Sequence, residues 1–134
     1  MNPVTLPRPL INQLLTQAQQ HAEIEVCGLV GRGTDGGSHC YPVTNTANDP
    51  AHRFTLDAAE QIDAMRRMRE HGEELFAIYH SLPDSPALPS PTDQRLAAYP
   101  GVLYLIISLG TTGVLEVRGF QLHDDTVEEI PLEI

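Results

Sequence analysis

Apolar residues recur at helical spacing at Leu10, Ile11, Leu14, Leu15 and Ala18, and Pro9 is placed for a first turn. A first helix is therefore predicted over about residues 8–21. The apolar run Glu25-Val26-Cys27-Gly28-Leu29-Val30-Gly31 reads as a strand. Gly33-Thr34-Asp35-Gly36-Gly37 then reads as a turn, and Ser38 to Asn45 as the returning partner strand. A polar loop follows from Thr46 to His52, with a short third strand expected at Arg53-Phe54-Thr55. Asp57 and Glu60 have capping-box spacing, Ile62, Met65 and Met68 share a face, and Gly72 supplies a stop. A second helix is predicted from Asp57 to His71. Leu75 to His80 reads as the fourth strand, and a third helix is expected from Pro91 to Ala98. Val102 to Ser108 has no polar alternation, which is the pattern of a central strand buried on both faces. Val114 to Gln121 and Thr126 to Ile134 alternate and read as outer strands. The architecture expected is one mixed sheet with helices packed on it, α+β or α/β.

Composition narrows the classes. With 134 residues, 41% hydrophobic and 19% charged, the chain is expected to fold as a single domain spanning residues 1–134. Eight Lys+Arg against 18 Asp+Glu give a formal net charge of −10. That balance argues against a nucleic-acid or anionic-membrane partner, since phosphate neutralisation needs basic clusters. The N-terminus lacks a signal-peptide pattern, and no apolar run approaches the ~20 residues that span a bilayer. Two cysteines, Cys27 and Cys40, make no disulfide framework, so free thiols in a cytoplasmic protein are expected.

The chemistry gathers between Tyr79 and Asp93. A strand delivers His80 to the mouth of a loop stiffened by Pro83, Pro86, Pro89 and Pro91, and Ser90-Pro91-Thr92-Asp93 then opens a helix. If the strand continues, His80 and position 82 face the same way, as in a His-x-His chelate. Asp93 is placed to add a hard oxygen ligand. Catalytic zinc typically takes three protein ligands and a water, with a nearby carboxylate as base. Each piece also has a purely structural role open to it. Ser90 can cap a helix and Asp93 can favour its dipole, while His80 and Glu25 can be ordinary strand-end residues.

At these residues the chain resembles the JAMM (JAB1/MPN/Mov34) metalloprotease family, small bacterial type. Glu25-Val26-Cys27-Gly28-Leu29 is similar to the family's E-x-x-G-L strand. His80-Ser81-Leu82-Pro83 stands where His-Ser-His-Pro is expected, and Ser90-Pro91-Thr92-Asp93 follows after seven intervening residues, as in the family. The resemblance implies a cytidine-deaminase-like JAMM/MPN fold, a central mixed sheet flanked by about three helices. It implies zinc-dependent hydrolysis of peptide or isopeptide bonds, with His80 and Asp93 as zinc ligands. Glu25 is then the general base and Ser90 the hydroxyl that steadies the oxyanion. The implied substrates are C-terminal tails of ubiquitin-like or sulfur-carrier proteins, bound extended in a narrow groove that admits glycine.

Leu82 departs from the pattern, because it stands where the family has its second zinc-binding histidine. Losing even an outer partner of a ligand typically costs roughly 10–100-fold in metal affinity. Weak zinc binding and little turnover are therefore expected. Three explanations stay open. Leu82 disables an otherwise competent enzyme; or Asp84, His39 or His52 completes the coordination; or the chain is a non-catalytic relative kept as a binding module. Retention of the other motif residues favours the first.

Overall fold

The computed structural model describes residues 3–89, 101–110, 116–122 and 126–134. The elements run β1 (Val4–Thr5), α1 (Arg8–Gln20), β2 (Cys27–Gly33), β3 (Ser38–Val43), α2 (Ala58–Glu70), β4 (Glu73–Leu82), β5 (Leu103–Ser108), β6 (Glu116–Leu122), β7 (Val127–Ile130) and β8 (Leu132–Glu133). Six strands form one sheet in the order β3-β2-β4-β5-β6-β7. All of its neighbours are antiparallel except β4 and β5, which run parallel at the centre. The mixed α+β sheet expected from the sequence is present. The expected third helix, Pro91 to Ala98, lies outside the described residues.

The period-2 alternation of the strands sorts the core into two layers. Ala77, Tyr79, Leu103, Leu105 and Ile107 pack with Leu10, Leu14 and Ala18 of α1. Ile78, Leu82, Tyr104, Ile106, Phe120 and Leu122 pack on the other side with Ala64 and Met68 of α2. Every residue of β5 is buried, as a central strand covered on both faces requires.

Helix α2 begins as expected at Asp57, whose carboxylate accepts the Glu60 amide at 2.9 Å. The reciprocal half of the capping box is absent, because Glu60 Oε1 instead accepts the Thr44 amide at 3.1 Å. The face of α2 differs from the sequence reading: Ala64 and Met68 are buried, whereas Ile62 is 69% exposed. Ile62 lies too far round the helix from the Ala64–Met68 stripe to reach the sheet.

Residues 53–55 are loop rather than a third strand, with only an isolated bridge between Asn45 and Leu56. The Asn45 side chain occupies the bonds a strand neighbour would take. Its Nδ2 donates to Arg53 O at 2.9 Å and its Oδ1 accepts the Thr55 amide at 3.0 Å. The expected final strand is also divided. Pro131 separates β7 from β8, and β8 pairs in parallel with β1 in a small second sheet. Arg32 holds this sheet to the body by donating to Thr5 O at 2.9 Å while its guanidinium lies 3.7 Å above the Phe76 ring.

Candidate active site

Strand β4 extends two residues past His80, so His80 and Leu82 do share a face, the one that α2 covers. His80 sits opposite Cys27 on β2 and Ile106 on β5 and is 1% exposed. The Phe54 ring stacks on its imidazole, with centroids 4.4 Å apart and planes 19° from parallel. The Asn45-braced loop therefore packs directly on the histidine.

Glu25 precedes β2 and is 4% exposed. Its backbone is held at both ends: the amide donates to Pro50 O at 2.7 Å, and the carbonyl accepts Asn45 Nδ2 at 2.8 Å. Ser81 joins this segment to β4. Its side chain points to the opposite face from His80, where Oγ accepts the Val26 amide at 2.9 Å, and its own amide donates to Val26 O at 2.9 Å. Glu25 and His80 are thus fixed to one frame. Sequence reasoning passed over Ser81, Asn45 and Phe54. Only Ser81 carried a signal, as the residue between the two chelating positions.

Gly28 of the E-x-x-G-L stretch has a steric explanation. A Cβ there would come within 2.6 Å of Tyr41 O and would collide with the Tyr79 ring, which lies against the glycine across the β2–β4 pair. The Tyr79 hydroxyl donates to Gln17 Oε1 of α1 and accepts from the Cys40 thiol at 3.2 Å. Cys27 and Cys40 are both free, Cys27 opposite Val43 and Cys40 opposite Val30, so the thiols do not face each other across the hairpin. Burial, reinforced by the charges of Glu25 and Glu60, pushes the Cys27 thiol up to about 12.

Glu25 and His80 line one cavity of about 440 Å³. Its floor is apolar, made by Ile78, Leu82, Tyr104, Ile106 and Leu122. Phe54, Leu56 and Leu88 lie around it, and His52, Arg53 and Asp84 add polar groups. Ser90 and Asp93, the other residues singled out from the sequence, lie outside the described residues.

These donors do not make up the zinc set that the motif implies. Among the described residues no three His, Cys, Asp or Glu side chains are grouped to hold a metal ion. Leu82 has no donor atom and is packed into the apolar layer, 9% exposed. Of the side chains open as replacements, His52 and Asp84 line the cavity with His80, whereas His39 does not. His39 bonds Glu73 at the other end of β4, and exposed His52 bonds Asp49 at 3.1 Å. Asp84 joins no three-donor group among the described residues. The described residues alone do not supply the usual three zinc ligands.

The fold and this cavity define a JAB-type domain, and the comparisons agree. The family model of prokaryotic homologs of the JAB domain matches residues 7–121, and the chain belongs to that family. It is 31% identical over 127 residues to the CysO-cysteine peptidase of Mycobacterium tuberculosis, covering 93% of this chain and 86% of that protein. It is 33% identical over 119 residues to a probable TtuB-protein conjugate cleaving protease of Thermus thermophilus, covering 89% and 76%. The solution structure of DSY2949 from Desulfitobacterium hafniense superposes with a TM-score of 0.84 at 35% identity, over 96% of this chain and 90% of that one. The JAB1/MPN domain protein AF2198 from Archaeoglobus fulgidus shares the fold, with a TM-score of 0.62 at 17% identity over 98% and 95%. Among the described residues, no helix is long and apolar enough to cross a membrane.

Proposed function

We propose that this chain is a JAMM-type peptidase or isopeptidase domain of the cytoplasm whose hydrolytic step is impaired by Leu82. Its substrates are peptide or isopeptide bonds at the C-terminal tails of ubiquitin-like or sulfur-carrier proteins. The observation that carries this reading is the convergence of Glu25 and His80 on one cavity in a JAB-family chain. The names of the relatives, a peptidase and a conjugate-cleaving protease, support the reaction class and the kind of partner.

The chain's own residues supply part of such a site. Glu25 is a buried carboxylate at the cavity wall, suited to accept a proton from an attacking water. His80 lies beneath Phe54 with its ring orientation fixed by stacking. Zinc is the group that the resemblance assigns to His80 and Asp93, and Leu82 leaves that set one ligand short.

A second reading, a non-catalytic binding module, is favoured by one observation: Leu82 is integrated into the apolar layer that five strands share with α2. Cleavage of a fusion protein with a Gly-Gly junction, assayed with the chain and with Leu82→His, separates the two. The impaired-hydrolase reading expects little turnover by the former and clear turnover by the latter. Zinc-loaded Leu82→His that still leaves the junction uncut would instead support the binding module.

A further inference from the structure

A narrow slot for glycine has no use for a side-chain cavity, yet about 440 Å³ opens beside His80 and Glu25. That volume lies in the range of cavities that enclose whole organic ligands, and its composition matches theirs, a mostly apolar lining with a few polar groups. The floor comes from three neighbouring strands. Ile78 and Leu82 of β4, Tyr104 and Ile106 of β5, and Leu122 of β6 all face it. A histidine at position 82 would put an imidazole in that floor. Leucine instead adds an apolar side chain to it beside His80, and half-exposed Leu88 stands at its lip.

We propose that Leu82 has turned a metal-ligand position into the floor of a subsite for an apolar side chain. The occupant is a leucine- to phenylalanine-sized residue of the polypeptide that lies next to the residue held at His80 and Glu25. The inference rests on the tail-binding reading above and adds a selectivity to it. The polar groups of the cavity hold the backbone of the tail, and the apolar floor takes the neighbouring side chain out of water. Burial of a side chain of this size strengthens binding by roughly tenfold or more.

The test is calorimetric titration of the full chain with three acetylated tail peptides. One ends in Gly-Gly-Gly, one in Gly-Leu-Gly and one in Gly-Phe-Gly, so that the residue next to the terminal glycine is the one that varies. The expected result is that the leucine or phenylalanine peptide binds roughly tenfold or more tighter than the all-glycine peptide. This preference is expected to collapse in Leu82→Gln and to shrink in Leu88→Gln, whose half-exposed position spares the fold. Equal affinity for all three peptides overturns the subsite and leaves the tail-binding reading standing. Absence of binding by any of the three overturns the tail-binding reading, and the subsite with it. A preference that survives both substitutions also overturns the subsite, because the selectivity then lies elsewhere.

Discussion

Ser81 Oγ accepts the backbone amide of Val26 at 2.9 Å, across 55 residues of sequence, on the sheet face opposite His80. One fully buried hydroxyl thereby fixes the segment carrying Glu25 against the strand carrying His80. Ser81→Ala leaves the Val26 amide without this acceptor in a buried site. The expected loss is about 1–3 kcal/mol of unfolding free energy, read as a lower urea midpoint. Ser81→Thr, which keeps the oxygen, is expected to recover part of it.

A second linkage crosses the sheet at the other end of β4. Glu73 passes over Gly31, where a Cβ would come within 2.8 Å of Glu73 Oε1, and accepts the Tyr41 hydroxyl at 2.5 Å while its other oxygen bonds His39 Nδ1. Gly31→Ala obstructs that path and Tyr41→Phe removes its donor, so both act on the same carboxylate. Each is expected to destabilise by about 1–3 kcal/mol. The double variant is expected to lose less than the sum of the two. Chemical denaturation of the four proteins in the cycle provides the check.

The Tyr41 hydroxyl also predicts a pH dependence. Burial, and then the bond and charge of Glu73, push it up to about 12 from the usual value of about 10. The neutral hydroxyl is the form favoured by the fold. Its contribution is therefore complete below about pH 10 and lost as the pH rises through about 12. Urea midpoints of the chain and of Tyr41→Phe, followed across that window, are expected to converge as the pH rises. A gap that stays constant contradicts the assignment.

Cys27 is fully buried, donates to Val43 O at 3.3 Å and is held protonated far above neutral pH. Thiolates are the reactive form, so native Cys27 is expected to resist iodoacetamide at neutral pH and to label promptly in urea. Peptide mass spectrometry reads both states. Native labelling as fast as in urea contradicts the account.

The sequence made the sheet legible wherever one physical signal dominated. The unbroken apolar run from Val102 to Ser108 announced a strand covered on both faces, and Asp57 with Glu60 marked the start of α2. Arg53 to Thr55 misled because side-chain hydrogen bonds from Asn45 decide that loop, and periodicity carries no sign of them. Ile62 misled because its spacing to Met65 suggested a shared face, whereas the buried stripe of α2 runs through Ala64 and Met68. The two-residue strand β1 was invisible, since it pairs with β8 at the far end of the chain. At the site, the face shared by His80 and position 82 was readable from strand alternation alone. The cavity was not, because its lining comes from β4, β5, β6 and the loops around residues 54 and 88. Nothing along the chain shows that Leu82 joins an apolar floor drawn from three strands.

The account turns on Leu82, so zinc stoichiometry is its most direct test. Metal content is measured on the chain as it stands and on Leu82→His after equilibration with limiting zinc and removal of loosely held metal. The account predicts substoichiometric zinc on the unaltered chain and about one zinc per chain on Leu82→His, which regains the three-ligand set. Tight binding of one zinc by the unaltered chain, or no gain on Leu82→His, would contradict it.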